Sequence, residues 1–434
     1  MKKTLIALSL LSGSLLAQAG GLLTNTNQHI AFVRMMARGA SHEIDAIYTN
    51  PAGVAWMDQG WTLSLNIQSA FQTRNVEASF PLFGTEPKLY KGDAAAPVLP
   101  SIYAAYRKDA WAIQGFIGVI GGGGKCSFEH GLPMFDSRVM AGIMAQTGGT
   151  VTPDQYNINT AVKGRQYIFG GQLGFSYRFN DHFSGHLGMR MNYFNGNQWG
   201  YVEAIHKANG AQLVDLRLDC DQTGWGITPI IGINYRYKGL TLAAKYEFKT
   251  NLNIENDTKQ LVDPTGALAA YEHGVNTPSD VPAMLAVAAG YEFTPKLRAT
   301  LEYHFFDDKH AEMAQNKQKA LKHGTHEFLA GVEYDINKTF TVSAGAQRTD
   351  YGLSDDYQSN TSFSCDSYSV GLGGAVNITP HLKLNVGYFW TMYSDYTKNV
   401  PAANPGGYNG TTMPGQDIYS RTNKVFGMGI DYKF

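Results

Sequence analysis

The carboxyl-terminal segment FGMGIDYKF, residues 426–434, carries an apolar side chain at every second position. A period of two gives a β-strand one apolar and one polar face. In a membrane barrel the apolar face meets lipid, and the Gly, Asp and Lys face meets a wet lumen. The sequence contains no run of about 18 apolar residues, so it predicts no membrane-spanning helix. The pattern therefore predicts strands that cross a membrane and close on themselves.

Composition agrees with this interpretation. Charged residues make up 16% of the chain, against about 25% in typical soluble domains. The 25 tyrosines, 22 phenylalanines and 48 glycines suit aromatic girdles and small luminal side chains. A formal net charge of -1 gives no reason to expect a nucleic-acid partner. A large soluble all-β domain is the alternative that composition leaves open.

The amino end predicts an export signal over residues 1–19. Lys2 begins a positive start, residues 5–16 are apolar, and the AQA segment at 17–19 fits a small-x-small cleavage site. The mature chain is expected to begin at Gly20, and an N-terminal anchor helix is the alternative. Together with the predicted membrane-crossing strands, the export signal predicts a protein of the outer membrane of a Gram-negative bacterium, with both termini in the periplasm.

Short polar turns with alternating segments on both sides predict β-hairpins. Tyr and Phe cluster beside these turns, as in the aromatic belt of a membrane interface. Six turns and seven longer loops connect fourteen predicted strands, for which residues 61–434 suffice. The turns are 108–109, 180–181, 238–239, 294–296, 336–338 and 379–381. The predicted extracellular loops are 76–99, 121–164, 194–222, 252–282, 307–325, 350–362 and 395–421.

Residues 20–60 remain outside this barrel and are predicted to plug it. A fourteen-strand barrel is too wide for its own side chains to fill, which they can do at about 8 strands. The segment is rich in Ala, Gly, Met and Ile and contains a short helix candidate at 31–38. An ordered segment of this kind would close the lumen.

Two motifs resemble those of a known family. Residues 47–55, IYTNPAGVA, resemble the plug signature of the long-chain fatty-acid transporter family (FadL/TodX type), and Asn50, Pro51 and Ala52 form its most specific part. Gly224, Trp225 and Gly226, which are predicted to open strand six, resemble a second family motif. An ordinary turn is the alternative for the first motif, since Asn-Pro favours turns.

The order of signal, plug, fourteen strands and terminal Phe434 also resembles the family. The resemblance implies a monomeric barrel, insertion by the barrel-assembly machinery through Phe434, and passive uptake of a hydrophobic small molecule. It further implies capture between extracellular loops and sideways exit through a gap beside a kinked third strand. The chain departs from the family in placing its helical loop after strand three instead of strand five. The family's polar pocket residues do not match by position, so none is carried over.

Four consecutive glycines, Gly121, Gly122, Gly123 and Gly124, follow strand three. They lack the spacing of a phosphate-binding loop. Glycines in a strand permit a bulge or kink, which predicts the lateral gap that the resemblance implies. A flexible loop hinge is the alternative.

The loop after strand three also predicts a helix with one apolar face. A flexible, methionine-rich face of this kind can capture an apolar ligand, and packing against neighbouring loops is the alternative. The residues of this face are Met134, Phe135, Val139, Met140, Ile143 and Met144.

The 307–325 loop region is rich in histidines and lysines. A haem or metal site is conceivable there, but a solvated face or contact with lipopolysaccharide phosphates is the preferred interpretation. The three cysteines Cys126, Cys220 and Cys365 form no C-x-x-C motif. Export permits one extracellular disulfide among them, and the sequence does not decide whether one forms or which two would pair. The histidines and lysines of the 307–325 loop region are His310, His323, His326, Lys309, Lys317, Lys319 and Lys322.

The sequence therefore predicts a non-enzymatic, passive outer-membrane channel for small hydrophobic molecules such as long-chain fatty acids. No catalytic motif, metal motif or cofactor signature is present. The expected surroundings are outer-membrane lipid and lipopolysaccharide. The alternatives are a general porin, which leaves residues 20–60 without a role, a surface receptor or adhesin, for instance for haem, and an outer-membrane lipase.

Overall fold

The computed structural model describes residues 24–434. The predicted export signal at 1–19 and the expected mature start at Gly20 lie outside these residues. No described helix is both long and apolar enough to span a membrane.

One antiparallel sheet of fourteen strands closes into a barrel, as the sequence predicted. The strands are β1 (Gly60–Ser79), β2 (Lys88–Lys108), β3 (Trp111–Phe128), β4 (Tyr156–Arg178), β5 (Phe183–His206), β6 (Gln212–Tyr237), β7 (Leu240–Glu247 and Asn253–Val262), β8 (Asn276–Pro278 and Met284–Thr294), β9 (Leu297–Phe306), β10 (Thr325–Asp335), β11 (Phe340–Asp350), β12 (Ser367–Asn377), β13 (Leu382–Tyr393 and Tyr396–Val400) and β14 (Gly415–Lys433). Each strand pairs with the next, and β1 pairs with β14 from Thr62 opposite Lys433 to Ser79 opposite Gln416. All six predicted turns lie between consecutive strands.

The barrel has apolar side chains outside and polar side chains inside. On β1, Ser64 and Asn66 are only 1% and 2% exposed, whereas Leu65 and Ile67 are each 50% exposed. The alternation predicted for the last strand is also present, since Asp431 is buried. A soluble β-domain shows the opposite arrangement. An outward apolar band of this kind is stable only in contact with lipid.

The outer halves of several strands extend beyond the predicted boundaries. β5 ends at His206 and β6 begins at Gln212, so the loop predicted at 194–222 shrinks to 207–211. The loop predicted at 121–164 likewise shrinks to 129–155. In the outer part of β6 the inward positions Leu216 and Leu218 are apolar and buried, and the polar residues lie on the outward face. The alternation there is opposite to that of the lipid-facing band, with the apolar side chains inside, so the expectation of an outward apolar face does not find these segments.

The motif at Gly224, Trp225 and Gly226 lies in the middle of β6 and does not open it, contrary to the prediction. Trp225 is 64% exposed on the lipid-facing side. A Cβ added at Gly226 would lie 2.6 Å from the carbonyl oxygen of Asn251. Asn251 belongs to the break between the two halves of β7, so the glycine allows this irregular backbone to approach β6.

The amino-terminal segment forms short helices inside the barrel, as predicted for a plug. These are α1 (Ile30–Arg34), α2 (Ala46–Thr49) and a 3-10 helix (Pro51–Trp56). The long loop after β3 contains α3 (Pro133–Thr147), which confirms its helical character. The remaining 3-10 helices lie in extracellular loops, at Pro153–Gln155, Ala269–Tyr271, Asp308–His310, Ala314–Ala320 and Tyr408–Gly410.

The three cysteines form no disulfide among residues 24–434. Cys126, Cys220 and Cys365 are free thiols. Cys220 packs in the apolar cluster around α3, while Cys365 packs with Phe363 and Tyr419. Their burial in separate clusters accounts for the lack of pairing between these two.

Candidate functional site

A buried charge cluster fixes the plug to the wall. Arg34 of α1 is fully buried and donates to Glu333 on β10 through Nη1. Arg38 binds Asp45 within the plug, with Nε and Oδ2 2.7 Å apart, and its Nη1 lies 3.7 Å from Glu333. Arg298 on β9 approaches Glu333 from the opposite side, with Nε and Oε1 2.7 Å apart. Buried charges require such pairing, so plug and wall depend on each other.

Luminal glycines let the plug backbone approach the wall closely. A Cβ at Gly345 of β11 would lie 2.8 Å from the backbone nitrogen of Met36. A Cβ at Gly371 of β12 would lie 2.7 Å from the carbonyl oxygen of Val33, and one at Gly387 of β13 would lie 2.9 Å from the nitrogen of Arg34. These contacts involve backbone atoms, which cannot move aside as a flexible side chain can. They explain part of the high glycine content of the chain.

The predicted plug motif lies at a corner anchored to four strands of the wall, β3 to β6. Asn50 caps the 3-10 helix by accepting from Gly53 N at 3.2 Å, and its Nδ2 donates to Asn234 Oδ1 of β6 at 2.8 Å. The carbonyl oxygen of Pro51 accepts hydrogen bonds of 2.8 Å from Gln114 and Ser176. The carbonyl oxygen of Ala52 accepts one of 2.7 Å from Ser184. A turn with no tertiary role would not need these buried partners.

The wall is interrupted between β2 and β3. Pairing stops at Ala95 opposite Lys125 and resumes at Ile102 opposite Ile117. The glycine run lies at the interruption: bulges in the β3–β4 register fall between Val119 and Gly121 and between Gly121 and Gly124. Pro97 and Pro100 on the facing part of β2 lack the N–H groups that a ladder needs. Residues 121–124 therefore lie at a gap in the hydrogen-bonded wall.

A cavity of about 110 Å³ lies inside this gap, between the wall and the first described residues of the plug. Gly121 to Gly124 line it on the β3 side, and Thr24 and Asn25 line it on the plug side. Apolar lining residues are Ala70, Ala94, Ala96, Leu99, Val119 and Val425. By the same kind of measure, an engineered apolar cavity of about 150 Å³ binds benzene. The cavity is on the scale of a small ligand.

Most of the predicted ligand-capture face on α3 is buried in the loop layer. Met134, Phe135, Val139 and Ile143 pack with Leu132, Val202, Leu216, Leu218 and Leu268 in one apolar cluster. Met140 and Met144 remain partly exposed. Phe135, Leu216 and Leu268 also line a small apolar pocket of about 30 Å³. The face thus contributes mainly to packing, and only its two partly exposed methionines remain open to solvent.

The histidines of the 307–324 loop and of the start of β10 are dispersed. His310 binds Asp307, with Nδ1 and Oδ1 2.6 Å apart, and His326 contacts Tyr303 Oη at 2.7 Å. The rings of His323 and His326 lie 5.1 Å apart. Among residues 24–434 no group of three or more His, Cys, Asp or Glu side chains is arranged to hold a metal ion.

Lys317 in the same loop makes loop stability depend on pH. Burial and, to a smaller extent, the nearby charge of Lys398 together lower the pKa of Lys317 to about 7. The folded loop therefore binds this proton less tightly than the unfolded loop, in which a lysine titrates near 10.4. Loop stability should rise between pH 7 and about 10 and level off below pH 7. Hydrogen-exchange protection of residues 307–324 at pH 7 and pH 9 measures this rise. Lys317→Met should flatten it, and Lys319→Met on the exposed face should not.

Sequence reasoning did not find two arginines at the gap cavity, Arg74 of β1 and Arg421 of β14. They lie far apart in the chain and become neighbours only because the barrel closes. The strand patterns place both on the luminal face, but nothing local marks them as a pair.

The fold and this site define a class: the chain is an outer-membrane β-barrel with a plugged lumen. Residues 265–434 match the family model "Outer membrane protein beta-barrel domain". No curated protein matches the chain.

Comparison with solved structures shows that the chain has the fold of FadL-type channels. A FadL homologue from Pseudomonas aeruginosa aligns with a TM-score of 0.69 at 13% identity, covering 96% of this chain and 100% of that one. The toluene transporter TodX of P. putida gives 0.55 at 14% identity, covering 90% and 94%. The toluene transporter TbuX of Ralstonia pickettii gives 0.56 at 13% identity, covering 94% and 99%. At these identities the likeness establishes a shared fold.

Proposed function

We propose that the chain is a monomeric, passive channel for small hydrophobic molecules, which enter between the extracellular loops and leave sideways into the membrane. The observation that carries the proposal is the interrupted pairing between β2 and β3, at the level of a cavity inside a plugged lumen. The FadL homologue and the toluene transporters have the same fold, which supports the proposal of a channel for hydrophobic molecules.

A lateral route suits the chemistry of an apolar ligand. Straight passage to the periplasm would cross the plug charges around Glu333 and then release the ligand into water. Exit through the gap delivers the ligand from a partly apolar cavity directly to hydrocarbon and avoids the free energy of hydrating apolar surface. The partly exposed Met140 and Met144 are proposed to meet the ligand first. None of these steps needs a reaction, so we propose a transport role and no enzymatic one.

Removing the extra residues of β3 tests the exit route. Between Val119 and Gly124 β3 has four residues, whereas β4 has two between the partner positions Phe169 and Gln166. Deleting Gly122 and Gly123 should restore continuous pairing of β3 with β4 without turning side chains to the opposite face, because an even number is removed. It also shortens the unpaired part of β3 that faces β2 from seven residues to five, against six on β2, and should narrow the gap. Uptake of labelled toluene and dodecanol by cells that express the variant should fall at least about tenfold, which corresponds to an added barrier of about 1.4 kcal/mol.

The matched control deletes Gly148 and Gly149 at the end of α3. A Cβ at Gly148 would meet nothing within 4 Å, so this loop tolerates change. The control should retain uptake. Unchanged uptake in the β3 deletion, with the folded barrel present at normal amounts, would contradict lateral exit. Large ion currents from the intact protein in planar bilayers would instead indicate a general porin.

A further inference from the structure

Two cations lie side by side on the outer surface of the barrel. Lys125 on β3 and Arg165 on β4 are direct partners in the antiparallel register. Their chain neighbours Gly124 and Gln166 line the cavity inside, so the alternation of a strand turns Lys125 and Arg165 outward. Pairing of β2 with β3 stops at Ala95 opposite Lys125, which places the two cations at the extracellular edge of the gap.

No carboxylate forms an ion pair with either cation among residues 24–434. Directly opposite residues of an antiparallel pair have Cβ atoms about 5 Å apart, and like charges at such positions are destabilising. Lys163 adds a third positive charge two residues before Arg165, on the same face of β4, and its Nζ lies 5.0 Å from the ring centroid of Trp199. An anion bound between Lys125 and Arg165 would offset their repulsion.

The acidic residues of this surface lie apart from the two cations. Asp219 and Asp221 on β6 lie beyond Asn197, whose Nδ2 donates to their Oδ1 atoms at 3.0 and 2.8 Å. Asp221 also pairs with Lys259. Asp93 is exposed one outward position further along β2. Lys125 and Arg165 therefore keep their donors available to a ligand from the membrane.

Two other outward cations of the wall have no cation opposite them. Arg348 on β11 lies over the ring of Tyr368, 4.7 Å from the centroid. Lys424 on β14 lies opposite Phe71 and Trp390. A lone cation beside aromatic rings is stabilised where it is, whereas two adjacent cations call for an anion. The comparison marks the β3–β4 pair as a separate feature of the wall.

An apolar surface continues from the cations toward the periplasmic side. Phe169 and Leu173 follow Arg165 on the outward face of β4, and Ile117 lies beside them on β3. These three side chains are 44%, 69% and 66% exposed, as expected where acyl chains cover the wall. Basic clusters at a membrane interface bind phosphate headgroups, and arginine does so through charge-assisted hydrogen bonds. The surface thus offers a phosphate site directly above an acyl-chain site.

We propose that Lys125 and Arg165, with Lys163 beside them, bind a phosphate of lipopolysaccharide, whose acyl chains lie along the outer surface of β3 and β4. The extracellular ends of these strands lie in the leaflet that lipopolysaccharide occupies. Its lipid anchor carries both phosphates and acyl chains, which matches the cations and the apolar surface below them. The inference concerns the lipid-facing surface and does not depend on the proposed transport role.

Binding of diphosphorylated lipid A to the purified protein tests the site. Native mass spectrometry in a zwitterionic detergent gives the dissociation constant, with phosphatidylglycerol as a second anionic lipid. Lys125→Gln/Arg165→Gln should bind lipid A at least about tenfold more weakly than the unchanged protein. Arg348→Gln/Lys424→Gln is the matched control, because it removes the same charge from other parts of the outer surface. The control should bind lipid A as the unchanged protein does.

A charge reversal separates lipid binding from the repulsion between the two cations. Lys125→Glu places a carboxylate opposite Arg165, and opposite charges in this arrangement stabilise a sheet. Without lipid this variant should unfold at a higher temperature than the unchanged protein. Lipid A should raise the unfolding temperature of the unchanged protein and should not raise that of Lys125→Glu.

The remaining outcomes would overturn the site. They are an unchanged affinity in Lys125→Gln/Arg165→Gln, an equal loss in the control, and full stabilisation of Lys125→Glu by lipid A. Phosphatidylglycerol that binds as tightly as lipid A and depends on the same residues would show a general site for anionic lipids and overturn the assignment to lipopolysaccharide. If the double variant does not fold, Lys125→Gln alone, with a folded barrel on unheated gels, replaces it. None of these results bears on uptake, so the proposed function stands or falls separately.

Discussion

Replacing Gly345 by leucine is expected to turn the closed barrel into an ion-conducting one. The new Cβ would lie 2.8 Å from the backbone nitrogen of Met36 and 3.1 Å from the Cα of Met35. Neither atom can rotate away, so the first part of the plug has to leave the wall. Overpacking of this kind costs about 1–3 kcal/mol. This cost multiplies the fraction of molecules whose plug has left the wall by roughly 5- to 150-fold. An unplugged barrel of this width has a water-filled lumen.

Single-channel recording in planar bilayers measures this effect. The unchanged protein should give a quiet baseline, Gly345→Leu should give frequent large openings, and the double variant Gly345→Leu/Gly371→Leu should be open most of the time. Gly171→Leu is the matched control, because Gly171 lies in β4 and a Cβ there would meet nothing within 4 Å. Openings in the control, or a silent Gly345→Leu channel with a folded barrel, would show that these luminal glycines do not seat the plug.

The sequence predicts the barrel well because a membrane imposes a strong local rule. Each strand needs an apolar face, so the contrast between Ile430 and Asp431 is visible without any structure. The same rule fails above the bilayer, where the outer parts of β5 and β6 bury apolar side chains such as Val202 and Leu216 against the α3 cluster and carry polar residues on the other face. The prediction therefore placed the strand ends too early and took Gly224 for the start of β6.

The site is less visible in the sequence because its contacts join distant parts of the chain. The buried partners of Met134 and Phe135 come from β5, β6 and the loop after β7, which no helical periodicity reveals. The pairing of Arg74 with Arg421 depends on barrel closure. The glycine run at 121–124 was recognisable, because glycines in a strand mark an irregularity wherever their partners lie.

Neutralising Glu333 is expected to have the largest effect on stability. The carboxylate lies among Arg34, Arg38 and Arg298, and its side chain is 1% exposed. Glu333→Gln leaves Arg34 buried without a charged partner. Removing one member of a buried pair costs about 3–5 kcal/mol. The variant should therefore release the plug at a lower guanidinium concentration, measured as protease cleavage between residues 24 and 59 in the otherwise folded barrel. Glu272→Gln, on an exposed loop, is the control. It should leave the midpoint of plug release, expressed as a guanidinium concentration, unchanged.

A second substitution separates the loss of a charge pair from a general loss of packing. Arg34→Met added to Glu333→Leu removes both charges and fills similar volume, and such apolar replacements of a buried pair are often neutral or stabilising. Arg38 and Arg298 keep carboxylates of their own in Asp45 and Asp335. The double variant should therefore recover most of the stability that Glu333→Gln loses. If it is less stable than Glu333→Gln, the ion pair itself holds the plug. If Glu333→Gln shifts the midpoint no more than Glu272→Gln does, the plug is held by its glycine-lined contacts, and the Gly345 variant becomes the stronger test of gating.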